Sequence, residues 1–177
     1  MKHRIICTGN PSQSYTLAHS VRKHFPDTKF IHKSNGYDFQ SEHGLNLFRD
    51  EISNYDVFLN CSYIDVGIQE ALLNITKSNW DKGHVFNIGS ITEYIDISKQ
   101  VDMYYTSSKI NLKKTSLSLG TYDFKTTYMF LGGFKDVDLE SDNRMDPERI
   151  IEIIKLILNT DEFIVPIIGV VGPYFNS

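Results

Sequence analysis

The stretch Met103-Tyr-Tyr-Thr-Ser-Ser-Lys-Ile-Asn-Leu-Lys-Lys114 decides the fold assignment. It predicts a helix, in which residues four positions apart share one face. Tyr105 and Lys109 have this spacing. A lysine ammonium near a phenol favours the phenolate, which lowers a pKa that is ordinarily about 10 toward neutral pH. The pair predicts a tyrosine acting as general acid or base, although the same spacing is common on solvated helix faces.

A short apolar run precedes this helix. Val85-Phe-Asn-Ile-Gly-Ser90 predicts a buried strand that presents a hydroxyl at its carboxyl end. The order of strand, hydroxyl, loop and Tyr-Thr-Ser-Ser-Lys resembles the catalytic segment of the short-chain dehydrogenase/reductase family. The resemblance implies that Ser90 binds the substrate carbonyl or hydroxyl and that Tyr105 exchanges its proton. It also implies that Lys109 lowers the tyrosine pKa and holds the nicotinamide ribose.

Composition narrows the class of protein. The chain has 177 residues and a hydrophobic share of 41%, which predicts one globular domain over residues 1–177. The resemblance implies that this domain binds a dinucleotide. The net charge of −4 and the absence of a long basic run argue against nucleic-acid or polybasic membrane surfaces. No apolar run reaches transmembrane or signal-peptide length, so we expect a cytoplasmic protein. The histidines show no metal-ligand spacing, so no metal is expected.

The start of the chain predicts a strand, a turn and a helix. Arg4–Thr8 is β-branched and apolar, and a helical pattern runs from Leu17 to Phe25. In open parallel sheets this arrangement places a helix N-terminus where a phosphate binds. The family has Thr-Gly-x-x-x-Gly-x-Gly at this turn, and Thr8 and Gly9 match its first two positions. The resemblance therefore implies that both contact the cofactor.

The rest of the turn departs from the family pattern. Gln13 and Tyr15 stand where the second and third glycines belong, and those glycines allow the backbone to approach the pyrophosphate. Two alternatives follow. Either the turn has another shape, in which Ser12, Ser14 and Thr16 supply hydroxyls, or dinucleotide binding is weakened or lost.

Two residues after the second predicted strand, 29–32, are candidate contacts of the adenosine. A basic residue at this position suits the 2′-phosphate of NADP and an acidic one suits the free hydroxyl of NAD. Lys33 thus favours NADP slightly over NAD, although an exposed lysine is commonly only a solvated charge. Tyr37-Asp38-Phe39 resembles a strand-Asp-helix step of the family. Asp38 is then an adenine contact or, equally, a turn residue.

The middle of the chain supplies further family positions. Asn60 ends the predicted strand 55–60 and matches the first residue of the family motif Asn-Asn-Ala-Gly, which lies beside the cofactor. Tyr63 stands at the glycine of that motif. A helix is predicted over 64–80, but the catalytic Asn that the family often carries there has no secure counterpart.

The last third of the chain predicts a strand at 126–131, a helix opened by Asp146 and Pro147, and a strand at 163–171. Pro166 indicates that this last strand either lies at a sheet edge or begins late. Gly132-Gly133 replaces the Pro-Gly whose backbone faces the nicotinamide in the family. Gly133 is therefore a candidate cofactor contact, and a plain turn is the alternative.

Together these elements predict an α/β fold with a single Rossmann-like, doubly wound parallel sheet and helices on both faces. The first functional hypothesis is an NAD(P)-dependent oxidoreductase acting on a small carbonyl or alcohol. The alternative is a catalytically weak or inactive binding or regulatory protein, favoured by Gln13, Tyr15 and Tyr63. Nucleotide-sugar epimerisation requires a larger C-terminal substrate region.

The family resemblance and the apolar positions of the Tyr105 helix both predict that the chain forms an oligomer. Members of the family pair through the Tyr105 helix and the helix before the Ser90 strand, which implies a homodimer or homotetramer. The apolar positions of the Tyr105 helix spread wider than one face requires. These positions are Ile110, Leu112, Leu117 and Leu119. Deeper burial of this helix within its own subunit is the alternative.

Overall fold

The computed structural model describes residues 3–14, 16–90, 103–132, 146–160 and 164–170. Within these ranges, six parallel strands form one sheet in the order β2-β1-β3-β4-β5-β6. The strands are β1 (Ile5–Thr8), β2 (Lys29–Ile31), β3 (Val57–Asn60), β4 (Gly83–Ile88), β5 (Phe124–Leu131) and β6 (Ile167–Val170). The helices are α1 (Leu17–His24), α2 (Glu42–Ile52), α3 (Ile68–Asn79), α4 (Met103–Leu119) and α5 (Pro147–Leu158). The doubly wound parallel sheet predicted from the sequence is confirmed.

Helices cover both faces of the sheet. Successive side chains of a strand point to opposite faces, so neighbouring residues of β3 enter different apolar clusters. Leu59 packs with residues of α1 and α5, such as Val21 and Ile154. Phe58 packs on the other face with residues of α2, α3 and α4. Parallel strands that are buried on both faces explain the continuous apolar runs in the sequence.

The helix boundaries follow local capping chemistry. Asp146 caps α5, because its carboxylate accepts a hydrogen bond from the Glu148 amide at 2.9 Å, and Pro147 opens the helix as predicted. By contrast, α3 begins at Ile68 and not at Ile64. Gly67 immediately precedes it with a φ of 78°, a left-handed conformation that a helix cannot contain.

The prediction of a strand at Tyr37-Asp38-Phe39 is wrong. These residues form a turn that leads into α2. A short 3-10 helix, Lys33–Asn35, follows β2. The Ser41 amide and hydroxyl both donate to the Asp38 carbonyl, at 2.9 and 2.7 Å. The same hydroxyl accepts from the Gly44 amide and so caps α2. Capping folds the segment back and removes it from the sheet.

The other end of the sheet agrees with the sequence. β6 is an edge strand and begins directly after Pro166, whose carbonyl accepts from the Tyr128 amide at 3.0 Å. Among the described residues, no helix is long and apolar enough to cross a membrane.

Leu112 of α4 is buried in the core of its own subunit, whereas Leu117 is 44% exposed. Leu112 is therefore a core residue, and Leu117 is the most exposed of the four apolar positions, since Ile110 and Leu119 are partly buried.

Candidate active site

The predicted catalytic residues lie at the carboxyl edge of the sheet. Thr8 ends β1, Asn60 ends β3, and Ser90 follows β4 and is buried. Tyr105 and Lys109 lie on α4, which packs against β4 and β5. Ligands of open parallel sheets bind at this edge, beside the point where the strand order reverses. In this sheet that point lies between β1 and β3.

Lys109 is the central side chain of this region and is only 2% exposed. Its ammonium donates to the Ile88 carbonyl at 2.8 Å and to Gln69 Oε1 at 2.5 Å. It also lies 5.4 Å from the centroid of the Tyr105 ring. Burial lowers the pKa of Lys109 from 10.5 to about 8, and the nearby Cys61 opposes this shift. The structure therefore brings Tyr105 and Lys109 together, as their spacing predicted.

Tyr63 covers this pair from the loop that follows β3. Its ring contacts the Tyr105 ring edge-on, with centroids 4.8 Å apart, and the Lys109 ammonium lies 5.5 Å from its centroid. The family motif has a glycine here, which would leave this space open. A side chain in place of that glycine explains part of the burial of Lys109.

A buried network of amides holds the ends of β3 and β4 together. Asn60 Nδ2 donates to Asn87 Oδ1 at 2.9 Å and to the Gln69 carbonyl at 2.8 Å. Asn87 in turn donates to the Ser116 hydroxyl of α4 at 3.1 Å. Asn60 is thus a structural link among β3, β4 and α3.

Gln69 is a site residue that the sequence analysis missed. It is 2% exposed and is the second residue of α3. The only sequence signal is its helical spacing with Leu72, Leu73 and Thr76, which form the buried face of α3. A glutamine on such a face indicates a buried amide that needs partners.

Two adjoining cavities of about 220 Å³ each form a groove along the carboxyl edge. Gly9, Asn10 and Ser62 line both cavities. The first extends past Lys33, Asp38 and Tyr63, and the second extends past Gln13 and Thr16 toward Ile88. The groove thus runs from the end of β2 to Ile88 at the end of β4.

The backbone conformation and the close neighbours of residue 9, where the two cavities meet, require a glycine. Its φ is 132°, and a Cβ atom there would lie 3.0 Å from Ala18 Cβ and 3.0 Å from Ser62 Oγ. The backbone therefore approaches α1 as the first glycine of the family pattern implies. Thr8 supports this position, because its hydroxyl accepts from the amides of Cys61 and Ser62 at 2.8 and 3.0 Å.

The hydroxyls proposed to replace the missing glycines differ in their positions. Thr16 caps α1 by accepting from the His19 amide at 3.2 Å, and its hydroxyl donates to the Gln13 carbonyl. Ser12 and Ser14 are exposed. Thr16 is therefore already committed to its helix, whereas Ser12 and Ser14 remain accessible for hydrogen bonding.

Lys33 and Asp38 form an ion pair of 2.9 Å at the outer end of the groove. The Lys33 hydrogen bond, followed by one from the Gln40 amide, lowers the pKa of the Asp38 carboxyl. Lys33 is 75% exposed, so its ammonium is accessible to a ligand phosphate as well as to Asp38. Gly133, the remaining candidate, lies outside the described residues.

These features fit a dinucleotide. Gly9 lies where the two cavities meet, and the groove continues from it to Lys33 at one end and to Ile88, whose carbonyl accepts from Lys109, at the other. Gln13 and Tyr63, which stand at glycine positions of the family pattern, line the two cavities of the groove. In the described part of the chain, no group of histidine, cysteine and acidic side chains could hold a metal ion.

Larger cavities, of about 300 and 360 Å³, lie at the amino edge of the sheet and share His3 and Leu158. We assign the site to the smaller groove, because it contains the retained Gly9 and is lined by Tyr63 and Ile88, which both contact Lys109 of α4. Size by itself does not define a site in a doubly wound sheet, where the carboxyl edge binds ligands.

Comparison with known proteins agrees with the architecture. No family model and no curated protein match the sequence. A short-chain dehydrogenase from Leptospira borgpetersenii with bound NAD⁺ has a TM-score of 0.76 at 11% identity, covering 100% of this chain and 94% of that one. The chain has the short-chain dehydrogenase fold.

Two further structures share the short-chain dehydrogenase fold with the chain. A 4-hydroxyisoleucine dehydrogenase complexed with NADH and succinate has a TM-score of 0.74 at 15% identity, covering 98% of this chain and 100% of that one. A serine dehydrogenase from Escherichia coli has a TM-score of 0.70 at 13% identity, covering 98% and 99%. At such low sequence identities the structural similarity shows the fold alone, because activity depends on the side chains at the site.

Proposed function

We propose that the chain is a divergent short-chain dehydrogenase/reductase, a single dinucleotide-binding domain that oxidises or reduces a small alcohol or carbonyl compound. The observation that carries the proposal is the contact of Tyr105 with Lys109 at the carboxyl edge, beside a groove whose two cavities meet at Gly9. The proposed cofactor is NADP or NAD. Lys33 favours NADP slightly, because its exposed ammonium can meet a 2′-phosphate.

In this proposal the nicotinamide, when bound, supplies or accepts the hydride, and the protein holds the reacting groups in place. Ser90 donates a hydrogen bond to the substrate oxygen at the end of β4. Tyr105 exchanges the proton of that oxygen, and Lys109, 5.4 Å from the Tyr105 ring centroid, holds the nicotinamide ribose. Thr8, Gly9, Ser12, Ser14 and Asp38 are the proposed contacts of the cofactor, with Asn60 holding the sheet beside it.

The state of Lys109 sets the expected pH dependence. With its pKa lowered to about 8, Lys109 is mostly charged at neutral pH and loses its charge above that value. The cation at this position, and any contact that it makes with a ligand, is therefore expected to be lost on the alkaline side.

Calorimetric titration with NADPH and NADH, followed by turnover assays over a panel of small carbonyl compounds, tests the proposal. Tyr105→Phe is expected to lower turnover by roughly 100-fold or more, since it removes the transferable proton, while affinity for the cofactor stays nearly unchanged. The matched control is Tyr104→Phe, an exposed neighbour on the same helix, which should keep both properties. Absence of binding at millimolar cofactor, or near wild-type turnover in Tyr105→Phe, would refute the enzyme.

A binding protein without turnover is the second candidate. It is favoured by the Tyr63 ring, which occupies the glycine position of the motif and covers Lys109. In that case ADP, which needs only the outer part of the groove, would bind as tightly as the whole dinucleotide. The same titration, with ADP as a third ligand, separates the two candidates.

A further inference from the structure

Gln69 uses all of its side-chain hydrogen-bonding groups at the carboxyl edge. Its Nε2 donates to the Asn60 carbonyl at 2.8 Å and to the Ile88 carbonyl at 3.3 Å. Its Oε1 accepts from the Lys109 ammonium at 2.5 Å. One side chain thus joins the last residues of β3 and β4 to the lysine of α4.

Only an amide of this length satisfies these three partners. The two backbone carbonyls require donors, and the ammonium requires an acceptor, which a carboxamide supplies together. A carboxylate would accept from Lys109 but would face two carbonyl oxygens without a proton to offer. An apolar side chain would leave both carbonyls and the ammonium short of a partner in a buried region, which is costly.

The same contact fixes the direction of the lysine stem. A lysine side chain ordinarily extends its ammonium to water, yet the Lys109 ammonium is bound between Gln69 and the Ile88 carbonyl. The titratable groups that face it are Cys61 on the loop after β3, Tyr63 on the same loop, and Tyr105 on its own helix. Gln69 Oε1 is a neutral side-chain acceptor for the same ammonium.

We propose that Gln69 is a positioning residue, which holds the Lys109 ammonium against the end of β4 and beneath Tyr105. The catalytic consequence rests on the oxidoreductase proposed above. The hydrogen-bonding role does not, because it concerns two side chains of the chain itself. In this role Gln69 sets both the location and the proton affinity of Lys109.

Two substitutions separate positioning from general stability, because they act on Lys109 in opposite directions. Gln69→Glu places a negative charge beside the ammonium and is expected to raise its pKa by about 1 unit or more. Gln69→Leu removes a hydrogen bond to the charged form and is expected to lower the pKa. A merely structural role predicts that both variants change Lys109 in the same direction.

The measurement is an NMR pH titration of the protein labelled with ¹³Cε-lysine, without cofactor. The Lys109 signal is identified by its loss in Lys109→Arg. The matched control is Thr76→Val, a fully buried polar residue on the same face of α3, which should leave the Lys109 titration in place. Opposite shifts in the two Gln69 variants support the proposal. Unchanged titration, or shifts of the same sign, overturns it.

The outcomes also distinguish this inference from the proposed function. Opposite shifts in a chain that binds no dinucleotide would keep the positioning role and remove the oxidoreductase. If turnover is found, the alkaline limb of the kcat profile should move with the Lys109 pKa in both variants, while KM for the cofactor changes less. If Gln69→Leu fails to fold, Gln69→Met, which has a similar length, takes its place. If that variant also fails, the pKa shift of Lys109 in Gln69→Glu decides the question.

Discussion

Replacement of the buried lysine by an uncharged side chain of similar length should change how stability depends on pH. In the folded chain the pKa of Lys109 is lowered from 10.5 to about 8 by burial. Between these two values the unfolded chain holds the proton and the folded chain does not. Stability of the wild type therefore rises with pH across this window. Lys109→Met has no such group and should lack this rise.

The size of the effect follows from the same two values. Each tenfold change in proton affinity is worth about 1.4 kcal/mol, so the full window corresponds to about 3 kcal/mol. The difference in free energy of unfolding, Lys109→Met minus wild type, should be most positive below pH 8 and should decrease by about this amount toward pH 10.5. Tyr37 and Tyr55 also have raised pKa values, that of Tyr55 to about 12, but they act equally in both proteins. Their contributions cancel in the difference.

Urea unfolding at a series of pH values, from neutral to about pH 10, measures the free energy of unfolding of both proteins. The control is Lys114→Met on the exposed face of α4, which should keep the pH dependence of the wild type. If the curves of Lys109→Met and the wild type run parallel, the Lys109 ammonium is not desolvated in the folded chain. The reasoning on its charge at the site would then be wrong.

Three further predictions concern ligands and assembly. Tyr63→Gly should raise dinucleotide affinity by about fivefold in calorimetry, because it uncovers Lys109, and unchanged affinity would show that the ring does not obstruct the groove. Lys33→Ala should reduce the preference for NADPH over NADH by about tenfold, the value of one charged hydrogen bond, and an unchanged ratio would exclude Lys33 from the 2′-phosphate. If the chain pairs through α4, Leu117→Lys should yield a monomer by light scattering, whereas Leu156→Lys on α5 should not; a monomeric wild type would contradict pairing.

The parts of the fold that the sequence predicts well depend on local rules. Tyr105 and Lys109 meet because helical spacing alone puts them on one face, and α5 begins at Pro147 because Asp146 carries its own capping group. Pro166, which has no amide hydrogen to donate, predicted a last strand that lies at an edge or begins late, and β6 begins at Ile167 on the edge of the sheet.

The parts that the sequence did not predict depend on contacts between distant segments. The turn at Asp38 replaces an expected strand because Ser41 bonds back to it, a choice that the apolar pattern of the segment does not reveal. Gln69 and Lys109 are 40 positions apart, and their bond exists only once α3 and α4 lie side by side. The cover that Tyr63 forms over Lys109 likewise requires the folded loop.

The helix that carries Tyr105 is seated on the sheet mainly by polar atoms. Its buried side chains are Thr106, Ser108, Lys109, Leu112 and Ser116, only one of which is apolar. Ser116 is bonded at both ends, by Asn87 to its hydroxyl and by Thr126 to its carbonyl. Apolar surfaces allow a helix to slide and repack, whereas hydrogen bonds have a fixed length and direction. α4 therefore has a single register on the sheet, and a slip by one turn would break every one of these bonds at once.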